Sequence, residues 1–346
     1  MSRMLEEIRE QPVTLERTLQ AQKRPMEDLR RLLADDPPRM VMLVARGTSD
    51  NAAQFGRYLV EVTTGIPVEL AAPSIFTLYN ARFRFDGVLV VAISQSGEST
   101  DTNLVVELAR KQGARTIGIT NEPDSTLART AEHVFLVHAG REQSVAATKT
   151  YTGQLLMLYL LAYALGANIA LDDLSRLPDW ASRSLELETT IAQRSERYRF
   201  MEHAVVIGRG LNYANTFEFA LKLMETCYVI AERFSSADLL HGPIAMVEAS
   251  FPAFLFAPEG VTWPGLREMV EKLSQLKAET LLITDPANRE ALSLGEKIIA
   301  LPVAIPEIFT PIPYIIPAQI FAACLAAHKG LNPDHPRTLN KITRTL

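Results

Sequence analysis

The sequence predicts an α/β protein of two tandem domains, each a parallel-sheet α/β sandwich. Three observations carry this reading: an internal duplication, apolar runs of the fully buried kind, and their alternation with helical segments. Residues 41–47 (VMLVARG) and 204–210 (AVVIGRG) are short apolar runs ending in Arg-Gly, each followed by a helix-like segment. At the same spacing, 88–100 (VLVVAISQSGEST) lies over 251–262 (FPAFLFAPEGVT), with Gly97 on Gly260. One residue of slippage later, 114–120 (ARTIGIT) matches 278–284 (AETLLIT), and 132–137 (EHVFLV) matches 296–301 (EKIIAL). Runs rich in Val, Ile and Leu without polar alternation are strands covered on both faces. Alternating with amphipathic helices, they require parallel sheets with right-handed crossovers.

The order along the chain follows. Residues 1–30 form a leading helical arm and 31–168 the first domain. Residues 169–190 are polar, contain Pro178, and serve as a linker. Residues 191–330 are the second domain, and 331–346 a Pro-broken tail. The stretch Thr150 to Leu171 carries no charged residue. A membrane span needs about 20 predominantly apolar residues. This stretch includes Thr150, Thr152, Gln154, Gly166 and Asn168 and stands alone, so it reads as a buried or interface helix.

Composition narrows the function. With 346 residues, two domains of ordinary size fit. Apolar residues at 47% and charged residues at 22% exclude disorder over most of the chain. Lys plus Arg is 35 against 40 Asp plus Glu, a net charge of −5, so no charge excess favours nucleic acid or an anionic membrane. An anionic substrate must then be held by local donors. Cys227 and Cys324 belong to no Cys/His cluster, so no metal site and no disulfide framework is expected. The start, MSRMLEEIREQ, lacks the apolar core of a signal peptide, and a cytoplasmic protein is expected.

The segment ISQSGEST (93–100) follows a buried strand and precedes a helical run. Open α/β sheets bind ligands at the carboxyl ends of strands, where helix N-termini offer unpaired N–H groups. Ser94, Ser96 and Ser99 supply hydroxyls, Gln95 an amide, and Gly97 a close backbone approach. A phosphate would be wrapped by small donors without a large cation. A Ser-rich turn with a helix cap is the plainer reading. The second copy, APEGVT, has lost the hydroxyls, so one phosphate site per duplicated chain is expected. At ARGTSDNAA (45–53), Ser49 either reaches a ligand hydroxyl or, with Thr48, caps the helix; both readings stand. In SVAATK (144–149), Val145 and Ala147 present backbone groups to a sugar or simply make a turn.

Together these segments resemble the sugar isomerase (SIS) domain family. They are most similar to the double-SIS isomerase module of glucosamine-6-phosphate synthase. The matching stretches are RGTSDNAA, AISQSGES, HAGREQSVAATKTY, ALKLMETCYVIAERFSSADLLHGP and DHPRTLNKITRTL, in order over nearly the whole chain. The resemblance implies two tandem SIS domains of flavodoxin-like type. It implies Ser94, Gln95, Ser96 and Ser99 for phosphate, and Ser49 and the Val145 turn for the sugar. It also implies Glu225 for moving a proton between C1 and C2, and His241 for opening the sugar ring. Lys341 is the tail lysine that adds to a ketose, and Lys222 a further active-site lysine. It implies no cofactor, and a homodimer with shared active sites in which the partner donates the histidine.

Several positions depart from the synthase pattern. Ser99 stands for Thr, Ala147 for Ser, Met224 for Lys, and Asn340 for a small apolar residue. No cysteine occupies the chain start, so a glutaminase and an internal ammonia source are not expected. Among stand-alone double-SIS proteins the pattern is most similar to the glucosamine-6-phosphate deaminases. Fructosamine-6-phosphate deglycases, ammonia-dependent aminating isomerases and sugar-phosphate sensors are the alternatives.

The residues suit that chemistry. Aldose–ketose interconversion needs an open chain and a base that shuttles one proton between adjacent carbons. Glu225 lies among Leu221, Leu223, Met224 and Tyr228, although a glutamate on a helix is ordinarily solvated. His241 sits in a turn forced by Gly242 and Pro243, and histidine exchanges protons near neutrality. Lys341 in an apolar pocket would lose its proton and attack a carbonyl.

Overall fold

The structure, a computed structural model, describes residues 2–79, 81–339 and 341. Asn340 and the tail beyond Lys341 lie outside the described residues. The first repeat follows two leading helices, α1 (Arg3–Arg9) and α2 (Gln11–Asp35). It runs β1 (Met40–Val44), α3 (Thr48–Thr64), β2 (Val68–Leu70), α4 (Pro73–Thr77), β3 (Val88–Ser94) and α5 (Thr100–Lys111). It continues through β4 (Arg115–Thr120), α6 (Thr126–Thr130), β5 (His133–Leu136) and α7 (Lys149–Ala164). Three connecting helices follow: α8 (Leu171–Leu174), α9 (Leu177–Leu185) and α10 (Glu188–Glu196).

The second repeat runs β6 (His203–Gly208), α11 (Tyr213–Cys227), β7 (Ile230–Ser235), α12 (Ser236–Leu240), β8 (Pro252–Phe256) and α13 (Trp263–Gln275). Then come β9 (Glu279–Thr284), α14 (Arg289–Leu294), β10 (Ile298–Ala300) and α15 (Pro311–His328). Both sheets have five strands, ordered β2-β1-β3-β4-β5 and β10-β9-β8-β6-β7. All pairings are parallel, with Met42 opposite Val90 in one sheet and Val206 opposite Phe254 in the other. Counted within each repeat, both orders are 2-1-3-4-5, the flavodoxin-like doubly wound order. The two-domain parallel α/β reading holds.

The four pairs of repeated runs form β1 with β6, β3 with β8, β4 with β9, and β5 with β10. Every residue of β3 is buried, as a central strand covered on both faces demands. Its Val88, Val90 and Ala92 pack against Val105, Val106 and Ala109 of α5. In the other repeat Val205, Ile207, Ala253 and Leu255 pack against Leu266, Met269, Val270 and Leu273 of α13. The uncharged stretch forms α7, with Leu155 to Ala162 wholly inaccessible. A helix apolar on every side is a core helix. Among the described residues one helix, α15, is long and apolar enough to cross a membrane, and 83% of it is buried.

The chain folds as two compact units. The first comprises Val13–Glu142 and Lys149–Arg176 with Leu339 and Lys341. The second takes the residues up to Pro12, Gln143–Thr148 and Leu177–Thr338. The leading helices are thus divided: α1 packs on α15, and Gln11 Nε2 donates to Gln319 Oε1 at 2.9 Å. The segment read as a linker is largely helical: α8 buries Leu174, and α9 follows it. Leu177, Trp180, Ala181 and Ser184 of α9 are buried, and Ser184 Oγ donates to the Pro313 carbonyl at 3.0 Å.

Candidate active site

In the 2-1-3-4-5 order, β1 and β3 are neighbours whose following connections leave to opposite faces, so a crevice opens at their carboxyl ends. In the first unit that crevice is bordered by the turn after β1 and by the loop Ser94–Ser99. The loop is shaped by its own hydroxyls. Ser94 Oγ accepts from Gly97 N at 3.1 Å, and Ser96 Oγ accepts from Glu98 N at 3.2 Å. Asn103 Nδ2 donates to the Gly97 carbonyl at 3.0 Å. The Gln95 carbonyl accepts from Asn121 N at 3.1 Å. Gly97 has φ +64°, and a Cβ there would sit 2.2 Å from Ser125 Oγ, so only glycine fits.

Ser99 is the N-cap of α5 but makes no capping bond through its side chain; its Oγ accepts from Thr102 Oγ1 at 3.0 Å. Ser99 thus does not cap the first turn of this twelve-residue helix, and Gln95, Ser96 and Ser99 just before it are half-buried. This loop and helix start form the candidate anion cradle.

The cradle also has a cation beside it. Arg46, at the end of β1, pairs with Asp101 in the first turn of α5 at 2.6 Å. Asp101 is buried, while the Arg46 side chain stays 48% exposed. The strand-end Arg-Gly was visible in the repeat, but its partner was not. Ser49 is resolved as well. Gly47 with φ +57° is the N-cap of α3, so neither Ser49 nor Thr48 caps it. The Ser49 hydroxyl instead accepts from Gln154 Nε2 of α7 at 2.9 Å.

Lys341 lies in the same unit. Its Nζ is 2.8 Å from Glu142 Oε2, with side chains 24% and 0% exposed. The amine is therefore ion-paired to a buried carboxylate, not lodged in an apolar pocket. Ordering between Glu142 and residue 341 is a long-range pairing that spacing does not announce.

In the second unit α11 aligns Glu218, Lys222 and Glu225 on one face at i, i+4 and i+7. Lys222 Nζ lies 2.8 Å from Glu225 Oε2 and 3.3 Å from Glu218 Oε1. Lys222 and Glu218 are fully buried, and Glu225 is 23% exposed. Desolvation is the largest single influence on Lys222 and works to discharge it. The Glu218 and Glu225 carboxylates outweigh it by charge and hydrogen bonding, so the Lys222 pKa is raised. The result is an ammonium locked between two carboxylates, the outer of which opens to solvent. Glu218 was missed, although its four-residue spacing to Lys222 was there to be read.

His241 is exposed at the C-terminus of α12, and Gly242 with φ +136° turns the chain after it. Val145 is half-buried in a turn held from below by Glu7, whose carboxylate accepts from Ser144 N at 3.1 Å. Cys227 and Cys324 are buried free thiols, both pushed up to about 11 by burial, which leaves them poor nucleophiles. The predicted residues thus fall into two groups. Ser49, Ser94, Gln95, Ser96, Ser99 and Lys341 belong to the first unit, and Val145, Lys222, Glu225 and His241 to the second.

The second repeat's counterpart of the cradle explains why it lost its hydroxyls. At the carboxyl end of β8, Val261 N donates to Glu307 Oε2 at 2.8 Å, and Thr262 Oγ1 donates to Glu307 Oε1 at 2.5 Å. A Cβ on Gly260, φ +143°, would lie 1.9 Å from Glu307 Oε2. A carboxylate of the chain itself occupies the loop. Hydrogen bonds to a charged group contribute roughly 1.5–3 kcal/mol, so Glu307→Ala is expected to lose about that much in urea unfolding. Added formate should raise the melting temperature of Glu307→Ala more than that of the wild type. Equal shifts would refute the assignment of Glu307 as a built-in anion.

The SIS domain family model matches residues 37–164 and 200–329, covering both repeats. The glutamine–fructose-6-phosphate aminotransferase (isomerizing) of Pyrococcus horikoshii is 35% identical over 350 residues, spanning 98% of this chain and 57% of that protein. The chain thus spans little more than half the length of this curated relative. Among solved structures, the C-terminal domain of glucosamine-fructose-6-phosphate aminotransferase from Francisella tularensis superposes with a TM-score of 0.87 at 29% identity, over 97% of this chain and 98% of that one. The glucosamine-6-phosphate deaminase of Thermotoga maritima shares the fold, with a TM-score of 0.81 at 22% identity over 99% of this chain and 100% of that one. Two doubly wound repeats, each matched along its length, place the chain in the SIS domain family.

Proposed function

We propose that the protein interconverts glucosamine 6-phosphate with fructose 6-phosphate and ammonia, by proton transfer between the adjacent carbons of an opened sugar. The observation that carries this reading is Glu225. It is a partly exposed carboxylate with one oxygen fixed at 2.8 Å by a buried ammonium, in a chain similar to isomerizing fructose-6-phosphate aminotransferases. The proton relay needs a carboxylate that is oriented yet reachable, and Lys222 supplies the orientation. The Ser94–Ser99 cradle holds the 6-phosphate. Ser49 and the Val145 turn contact the sugar hydroxyls. His241 assists ring opening.

Glu225 takes the C2 proton of the open amino sugar and returns it at C1. The product is the 2-imine of fructose 6-phosphate, and one water converts it to the ketone and ammonia. Amination of fructose 6-phosphate is the same path reversed, so ammonia concentration sets the direction. Exposed Leu240 and Met246 beside the His241–Gly242–Pro243 turn support a homodimer in which a partner covers this histidine. A cytoplasmic location fits the substrate class.

An ammonia-release assay over amino-sugar 6-phosphates tests the reading, with fructoselysine 6-phosphate as the competing substrate. Glucosamine 6-phosphate should release ammonia and form fructose 6-phosphate. Lysine release from the competitor alone would make the protein a deglycase. A thermal shift with fructose 6-phosphate but no turnover of any amino sugar would make it a sensor.

A further inference from the structure

We propose that Glu142 is the proton acceptor and counter-ion of Lys341, and so a catalytic residue of the step in which that lysine adds to a ketose. This rests on the role that the family resemblance implies for Lys341, the amine that adds to a ketose. Glu142 is placed before α7 and held rigidly. Its Oε1 accepts from Thr150 N at 3.1 Å and its Oε2 from Thr150 Oγ1 at 2.7 Å. Lys341 Nζ approaches Oε2 at 2.8 Å.

A carboxylate with no solvent exposure is costly unless compensated. Lys341, with 24% of its side chain exposed, brings a positive charge to it at 2.8 Å. An ammonium cannot attack a carbonyl, so the resting pair stores the amine in unreactive form. The balanced sequence follows from the contact. Lys341 passes one proton to Glu142. The free amine nitrogen forms a bond to C2 of fructose 6-phosphate, and a nitrogen proton moves to the former carbonyl oxygen. The carbinolamine hydroxyl then takes the proton from Glu142 and leaves as water. A protonated imine remains beside the regenerated carboxylate, which is its counter-ion. Capping α7 alone would not require the negative charge, because a neutral amide oxygen can accept from Thr150 N equally well.

Glu142→Gln separates the two roles, since it keeps the acceptor and the volume and removes the proton acceptor. The experiment traps the adduct of fructose 6-phosphate with cyanoborohydride and reads the mass of the Lys341 peptide. The wild type should be labelled and Lys341→Arg should not. Glu142→Gln should be labelled at least about tenfold more slowly at saturating sugar. Its half-saturating sugar concentration and melting temperature should be unchanged, and Glu142→Asp should recover part of the rate. Labelling of Glu142→Gln at the wild-type rate, or an unlabelled wild type, overturns the proposal. Ammonia release by an unlabelled wild type would leave the Glu225 chemistry standing, so the two readings fail separately.

Discussion

Replacing Glu225 with Gln should lower ammonia release from glucosamine 6-phosphate by roughly 10²–10⁴-fold, the usual range for a general acid–base group. The side chains are isosteric, and a glutamine oxygen still accepts from Lys222, so orientation survives. The remaining Lys222–Glu218 pair is neutral and fully buried, so folding should be little affected. The phosphate site proposed at Ser94–Ser99 uses other residues, so KM should change far less than kcat. A second readout isolates the proton step. In heavy water the wild type should place deuterium at C1 of the sugar, and Glu225→Gln should not. Unchanged turnover, or unchanged deuterium incorporation, would remove Glu225 from the mechanism.

Much of the fold was legible because the strands are buried on both faces. Continuous Val/Ile/Leu runs such as 88–93 have few other structural readings, and their duplication doubled the signal. One edge strand of each sheet escaped, β2 and β7. β2 has only three residues, and β7 (IAERFS) exposes Ile230, Glu232 and Arg233, so neither shows the buried pattern. The polar stretch 169–190 hid Leu177, Trp180 and Ala181 at helical spacing, which α15 buries.

The candidate site was legible where a motif sits on one loop. The geometry of the Ser94–Ser99 loop, the candidate phosphate site, needs only its strand and its helix. What could not be read were contacts made by the tertiary fold: Arg46 with Asp101, Glu7 under the Val145 turn, and Glu142 with Lys341. Each joins residues far apart in sequence, and each places a buried carboxylate where composition would have put a solvated one.

The largest effect on stability should come from Lys222→Met. Removing one member of a buried ion pair strands its partner and typically costs about 3–5 kcal/mol. Glu218 is that partner, fully buried and left with a charge that no water reaches. The pH dependence has a definite sign. In the wild type the Lys222 pKa is raised on folding. Its contribution is therefore complete below the unfolded value of about 10.4 and is lost only as pH rises through the higher folded value. Between about pH 5 and pH 8 it is constant. In the variant Glu218 remains fully buried without the Lys222 charge, and burial disfavours an ionised carboxylate, so the deficit should grow as pH rises above the unfolded value of about 4.3. Urea unfolding should accordingly show a smaller deficit near pH 5 than near pH 8. The double variant Glu218→Gln with Lys222→Met removes both charges and should regain most of the loss, while Glu225, deprived of its ammonium, should remain slow. A deficit below about 1 kcal/mol, or one that shrinks as pH rises, would mean that the triad does not hold α11 together.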